Sequence, residues 1–206
     1  MRISIGILPT ETDADIILHP VKYKDSITYE PSSEEAVVAL IAKYFTYDLV
    51  DENVKNFFDE LDEGYLYSES NFDEFDLEEI KNRIEEKNEI IVGKDILLHH
   101  KKDNILKLLN LLKLANFEVN QFIEDYNFDE IDDIETFDGS IVYIKEGEDN
   151  NIIVSKQFKI ANKIASDKIR IDGVEKNVIE DKNLKGVFGI ISDKVEEYPF
   201  KRVKID

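Results

Sequence analysis

Residues 89–122 read EIIVGKDILLHHKKDNILKLLNLLKLANFEVNQF, and this stretch predicts one α/β unit. The apolar run at residues 89–92 is stopped by a glycine, as is typical of a short buried strand. Seven of the ten residues at 105–114 are leucine or isoleucine, which leaves too little polar interruption for a surface helix. We therefore expect a buried strand, a loop carrying His99 and His100, a helix covered on several sides, and a second strand.

The remainder of the first part continues this α/β pattern. Two short strands are predicted at residues 1–8 and 15–18. Ser32 and Glu35 have the spacing of a capping box, in which the serine would cap a helix that begins there. Amphipathic patterns predict two further helices, at residues 51–61 and 76–87.

The tail, by contrast, carries short strand patterns separated by turn residues. Asp172-Gly173 is a two-residue hairpin signal, because both central positions of such a turn favour positive φ. The sequence thus predicts an α/β fold: a layered, Rossmann-like α/β domain at residues 1–138, followed by a smaller β-rich module at 139–206. The strands expected in the tail lie at 141–145, 152–154, 168–171, 174–179, 187–191 and 200–205.

Composition limits the possible functions. The chain has 206 residues and no cysteine, which excludes disulfides, thiolate metal ligands and a cysteine nucleophile. The net charge of −20 is uneven: residues 151–206 carry 12 basic and 9 acidic residues, which leaves −23 on residues 1–150. So negative a field argues against binding to nucleic acid or anionic lipid. No apolar run approaches the roughly 20 residues that span a bilayer, so we expect no membrane insertion and a cytoplasmic protein.

An acidic stretch offers one candidate metal site. Asp125, Asn127 and Asp129 have the alternating spacing that opens an EF-hand calcium loop. The sixth position of that loop is Glu130 where glycine is needed, and the twelfth is Thr136 where a bidentate glutamate is needed. Specific calcium binding is therefore not expected, and a solvated acidic surface is the simpler interpretation.

The three histidines give no better candidate. His99 and His100 are adjacent, so their rings should point in different directions, and no third ligand or spaced carboxylate is evident. A surface pair or a helix-entry pair is the simpler interpretation, and His19, before a proline, is expected to be a hydrogen-bonded structural residue. Walker, dinucleotide-binding and nucleophile-elbow motifs are absent from the sequence. No catalytic, cofactor-binding or metal-binding residue is predicted, and no cofactor.

Several segments nevertheless resemble a known family. They are Leu61–Asn71, Ile91–His100 and Asn104–Leu109, together with Tyr29-Glu30 and Ser33–Ala42 upstream. These segments resemble the large G subunit of bacterial NADH:quinone oxidoreductase (respiratory complex I), in the form found in epsilon-class proteobacteria. The resemblance covers roughly residues 15–120, and more faintly the tail, where residues 183–187 resemble strands that close a molybdopterin-oxidoreductase-like domain.

This resemblance implies the C-terminal, molybdopterin-oxidoreductase-like part of that subunit. The family carries iron–sulphur clusters on its N-terminal part, which this cysteine-free chain cannot ligate. The expected function is a non-catalytic structural domain of the peripheral arm, with other respiratory subunits as partners, either cytoplasmic or peripheral at the cytoplasmic side of the inner membrane. Two alternatives stay open: an acidic interaction protein or nucleic-acid mimic that binds a basic partner, and a molybdopterin-dependent or other enzyme in its own right.

Overall fold

The computed structural model describes residues 1–120 and 140–205, with the backbone alone at residue 202. These ranges contain seven α-helices, twelve strands and a short 3-10 helix at Leu112–Ala115. The helices are α1 Glu34–Thr46, α2 Glu52–Glu60, α3 Glu63–Ser70, α4 Glu74–Arg83, α5 Lys94–Leu98, α6 Lys102–Leu111 and α7 Lys156–Ala161. The strands are β1 Arg2–Ile5, β2 Ile16–Leu18, β3 Lys22–Tyr23, β4 Asn88–Val92, β5 Phe117–Val119, β6 Ser140–Glu146, β7 Asn151–Val154, β8 Lys168–Ile171, β9 Val174–Glu180, β10 Leu184–Lys185, β11 Phe188–Asp193 and β12 Phe200–Val203.

The chain forms two compact units. Unit 1 comprises Met1–Pro20 and Ser26–Ile134, and unit 2 comprises Val21–Asp25 and Glu135–Asp206. The predicted boundary at residues 138 and 139 lies outside the described residues and stays a prediction. Residues 21–25, which the prediction placed in the α/β domain, belong to unit 2 because β3 pairs with β10.

Unit 1 is built on a parallel sheet, which confirms the predicted α/β class. Its strand order is β2-β1-β4-β5, and all three pairings are parallel. Isoleucines of β1 and β4 face apolar side chains of α1, α4 and α6, such as Ile41, Ile80 and Leu109. As predicted, α6 is covered on several sides, because its residues 104, 105, 107, 108 and 109 are all buried.

Unit 2 is a closed β structure. Its six-stranded sheet has the order β12-β6-β11-β7-β9-β8, with parallel β6–β11 and β7–β9 pairs among antiparallel ones. An antiparallel bridge between Ile171 and Ile205 joins the two edge strands' ends, so the sheet closes on itself as a barrel. The interior is apolar, with Phe158 of α7 fully buried among Val142, Ile152 and neighbouring residues.

The predicted Asp172-Gly173 hairpin turn is confirmed. Both residues have positive φ, at 48° and 82°, and they join the antiparallel strands β8 and β9. The Asp172 carboxylate accepts a hydrogen bond from the backbone N–H of Lys204 at 3.0 Å and one from the Lys201 ammonium at 3.0 Å. The hairpin is therefore held to the end of β12 at the point where the barrel closes.

Candidate functional site

The carboxyl ends of the parallel strands are the place where open α/β sheets bind ligands, at the point where the chain reverses its direction of strand addition. In unit 1 this point lies between β1 and β4, because β2 follows on one side of β1 and β4 on the other. Gly6 follows β1, His19 follows β2, and Gly93 follows β4. His19 and Gly93 come directly after the apolar runs of β2 and β4, whereas Ile7 and Leu8 follow Gly6, so β1 ends at Ile5 and is shorter than the strand predicted over residues 1–8.

Two glycines close the crevice between β1 and β4. A Cβ atom at Gly93 would lie 1.9 Å from the carbonyl oxygen of Gly6, so the two backbones touch. The Gly93 N–H donates to the carbonyl oxygen of Ile5 at 2.8 Å, and the Asp95 N–H donates to that of Gly6 at 3.2 Å. At Gly6 and Gly93 the two main chains are therefore in direct contact, which closes the crevice at this point.

A buried polar cluster surrounds this closed crevice, and we call it the carboxyl-edge cluster. It consists of three pairs, and each of its side chains is at most 5 % exposed. In the first pair, His19 Nε2 lies 3.2 Å from Asp95 Oδ2. This contact joins the end of β2 to α5, so the hydrogen bond predicted for His19 is present, while its structural role stays a prediction. The members of the cluster are His19, Glu34, Glu35, Asp95, His99 and Asn104.

The second pair joins the end of α5 to the start of α1. His99 Nε2 lies 3.3 Å from Glu34 Oε2. The backbone N–H of Lys101 donates to His99 Nδ1 at 3.0 Å, so Nδ1 is an acceptor, and the contact between Nε2 and Glu34 is a close polar contact without hydrogen-bond geometry. The His99 ring also stacks on that of His100, with 4.4 Å between centroids. His99 is buried and His100 exposed, and both lie directly before α6, at the helix entry that was one of the two predicted locations. The expectation that the two rings point in different directions is wrong, because they stack on each other.

The third pair replaces the predicted capping box. Helix α1 begins at Glu34 with Ser33 as its N-cap, and Ser32 lies outside it at φ 70°. The Ser33 hydroxyl donates to the carbonyl oxygen of Glu30 at 2.6 Å and makes no cap bond to the helix. The Glu35 carboxylate accepts a hydrogen bond from the Asn104 amide of α6. The capping box was wrong because this long-range partner offers the buried carboxylate a hydrogen bond inside the core.

A carboxylate facing an imidazole is also the arrangement of a general base and the residue that orients it. Such a base must contact its substrate, and His19 and His99 are 0 % and 2 % exposed. Buried charges are tolerated only when they are paired, and here the three acidic side chains each have a partner on another element. The carboxyl-edge cluster therefore acts as polar core that joins β2, α1, α5 and α6.

A second feature of unit 1 is an open cleft of about 300 Å³ where α1, α2 and α3 meet, here called the tyrosine cleft. The Tyr47 hydroxyl donates to Asp59 at 2.9 Å, and the Lys43 ammonium contacts Glu63 at 2.7 Å. Burial and then the charge of Glu63 raise the pKa of Tyr67 to about 12. The cleft combines aromatic faces with carboxylates; it is lined by Leu40, Lys43, Tyr44, Tyr47, Asp59, Glu63 and Tyr67.

Sequence reasoning found only part of these features. It identified the histidines but missed Glu34 and Asp95 as their partners, because the pairs span 65 and 76 positions. The sequence did contain a signal for these partners. Glu34 and Asp95 each stand at the start of an apolar segment, and a carboxylate buried there without a partner would be costly, so a partner elsewhere in the chain could have been expected.

The EF-hand candidate at Asp125, Asn127 and Asp129 lies outside the described residues. Within residues 1–120 and 140–205, no three His, Asp or Glu side chains form a set that could hold a metal ion.

None of the helices in the described ranges combines the length and apolarity that crossing a bilayer requires. Comparisons with family models, curated proteins and solved structures gave no match to this chain.

Proposed function

We propose that this chain is a non-catalytic structural domain in the peripheral arm of an NADH:quinone oxidoreductase, where it holds neighbouring subunits by packing. The family-like segments of residues 15–120 motivate the proposal. The supporting observation is the carboxyl edge of the unit 1 sheet. It has the location of a ligand site, but it is occupied by the protein's own backbone and by buried polar pairs.

The energetics of this edge favour a structural use. A ligand at the crevice between β1 and β4 would have to separate Gly6 from Gly93 and break two backbone hydrogen bonds. It would also move Asp95 relative to His19, and separating a buried carboxylate from its partner is costly. Contacts of this kind stabilise the fold, as a scaffold needs.

Affinity purification tests this proposal. The full chain, carrying an epitope tag, is expressed in its native cells, and membranes are solubilised in mild detergent. We expect respiratory subunits to be recovered with the tagged chain, and NADH:quinone reductase activity of the membranes to fall when the chain is depleted. Recovery of no respiratory subunit from membranes that contain the intact complex would refute the proposal.

A matched pair of variants then separates a role in folding from a role in docking. Phe75 on α4 is 84 % exposed and contributes little to the core, so Phe75→Ala should leave the fold intact. Leu77, two residues on, is 1 % exposed, and Leu77→Ala should destabilise unit 1. A docking surface on α4 predicts that Phe75→Ala lowers the recovery of partners without lowering the melting temperature.

A second candidate function is binding of a basic protein, and one specific observation favours it. Residues 51–86 carry 14 acidic and 3 basic side chains, a net charge of −11, on the consecutive helices α2, α3 and α4. Such a field attracts basic partners and accelerates their association. The test is binding to a basic protein over a range of salt concentrations: a steep loss of affinity with salt supports this function, and no binding at low salt refutes it.

A further inference from the structure

The tyrosine cleft already holds cations against its rings. The ammonium groups of Lys43 and Lys55 lie 6.0 and 5.8 Å from the centroid of the Tyr47 ring. Lys81 lies 5.4 Å from that of Tyr44. Distances near 6 Å or below are those of cation–π attraction. The aromatic faces of this part of unit 1 are therefore oriented to accept positive charge.

The electrostatic environment of the tyrosine cleft is negative as well. A hydrogen bond to Asp59, then burial and neighbouring carboxylates, raise the pKa of Tyr47. The pKa of Tyr67 is raised by burial and then by Glu63, among other acidic groups. Within the lining the charge of Lys43 is compensated by Glu63, and the carboxylate of Asp59 is left to attract either Lys55, which lies over the Tyr47 ring, or an incoming cation in its place.

We propose that the tyrosine cleft receives an arginine side chain of a basic protein partner, between the tyrosine rings and the carboxylates of Asp59 and Glu63. A guanidinium suits the cleft because it can stack on an aromatic face and bind a carboxylate at the same time. The volume of about 300 Å³ is at the small end for ligand pockets, which fits a single side chain.

The surroundings identify the source of the cation as a protein. Eleven of the 14 acidic side chains of residues 51–86 are exposed, a larger negative area than a small amine would contact. A basic polypeptide can place one arginine in the cleft and further cations on α2, α3 and α4. This inference rests on the second candidate function and assigns that function a specific contact.

Peptide binding to the full chain tests the inference. Three labelled peptides of equal length differ only in one repeated residue: arginine, lysine, or citrulline, which has the shape of arginine without its charge. We expect the arginine peptide to bind most tightly and the citrulline peptide least. Spermidine competes in a separate series, and it should displace the peptide only at far higher concentration.

Matched variants on α3 locate the contact. Tyr67→Leu removes a ring that lines the cleft, whereas Tyr65→Leu removes a 40 % exposed ring that does not. Glu63→Gln and Glu69→Gln make the same change of charge inside and outside the lining. We expect the two cleft variants to weaken arginine-peptide binding by about threefold to thirtyfold and the two controls by less than twofold.

The possible outcomes separate the arginine contact in the tyrosine cleft from the second candidate function, binding of a basic protein. Equal losses in the cleft variants and their controls would overturn the cleft contact while leaving binding of a basic partner in place. Equal binding of the arginine and citrulline peptides at low salt would overturn both. Displacement by spermidine at the peptide's own concentration would overturn a protein source. Tyr67→Phe keeps the ring, so it should lose less arginine-peptide binding than Tyr67→Leu; equal losses in the two variants would overturn the role of the ring.

Discussion

Replacing Gly93 by alanine tests the closed crevice most directly. The new Cβ atom would lie 1.9 Å from the Gly6 carbonyl oxygen, which is 1.1 Å inside the 3.0 Å limit that real Cβ contacts respect. It would also lie 2.3 Å from the carbonyl carbon of Gly6 and 2.4 Å from Ile7 Cγ1. Because two of these three atoms belong to the backbone, a change of rotamer cannot relieve the clash.

The expected loss of stability can be estimated from the contacts that the new methyl group would separate. Moving Gly93 away from Gly6 stretches the hydrogen bonds from Gly93 to Ile5 and from Asp95 to Gly6. Each buried hydrogen bond that is lost costs about 1–3 kcal/mol, and overpacking adds a similar amount. Loss of both bonds plus overpacking would cost about 3–9 kcal/mol. Because the bonds are stretched and not lost outright, we expect the free energy of unfolding of unit 1 to fall by the lower part of this range, about 3–5 kcal/mol, which is a large part of the ~5–15 kcal/mol typical of a domain.

Urea denaturation followed by circular dichroism measures this loss, and Gly64→Ala is the matched control. Gly64 lies in α3, and its added Cβ would meet only the side chain of Asp62, at 3.5 Å. Alanine in a helix should stabilise the protein there by up to about 1 kcal/mol. If Gly93→Ala were as stable as the parent to within about 1 kcal/mol, the crevice would be open and the reasoning wrong.

Three further predictions concern ionisable groups. His19→Ala should lower the free energy of unfolding by about 2–4 kcal/mol in urea, because the buried Asp95 carboxylate loses a hydrogen bond. Asp172→Asn should make the unfolding midpoint less dependent on pH in the acid range. In the parent, the hydrogen bond from the Lys204 N–H is the largest cause that lowers the pKa of Asp172 from 3.8. The ionised carboxylate therefore stabilises the folded protein above pH 3.8, and this stabilisation is lost as the pH falls through the folded pKa. Tyr67→Phe should flatten the alkaline dependence between pH 10 and about 12, because the raised pKa of Tyr67 gives stability that is lost as pH rises through that range.

Each of these predictions can fail in a distinct way. A His19→Ala protein with the parent's urea midpoint would mean that the pair with Asp95 contributes nothing. An acid transition of Asp172→Asn that matches the parent's at every pH would remove the hairpin carboxylate from the stability of the barrel. An unchanged ultraviolet titration of tyrosine near pH 12 in Tyr67→Phe would assign the raised pKa to another residue.

The parts of the fold that were predicted correctly are those fixed by near neighbours. The hairpin at Asp172-Gly173 needs only two residues that accept positive φ, and α6 needs only the leucine pattern of 105–114. Helix α3 was not predicted because Leu66 is its only buried large apolar residue, so periodicity is weak. Helix α5, predicted as a loop, has only five residues. Local patterns thus find elements that bury a full apolar face.

The features that escaped prediction depend on residues far apart in the chain. Glu35 was expected to cap its own helix, yet its partner Asn104 is 69 positions away. Closure of the barrel depends on the bridge from Ile171 to Ile205, which neither strand's pattern indicates. The carboxyl-edge cluster could not be predicted because each of its pairs joins two elements that are far apart in the sequence. Its histidines could be named, but their environment could not.

The pairing of β3 with β10 has a consequence for how this polypeptide is made. Tyr23 pairs with Leu184, which the ribosome synthesises 161 positions later, so β3 has no partner strand until then. At roughly 5–20 residues per second, a ribosome needs about 8–32 seconds to deliver that partner. During this interval the strands of the parallel sheet can already assemble while residues 21–25 remain unpaired. Completion of the second unit is thus a late, slow event of biosynthesis, and the early segment is open to chaperones until then.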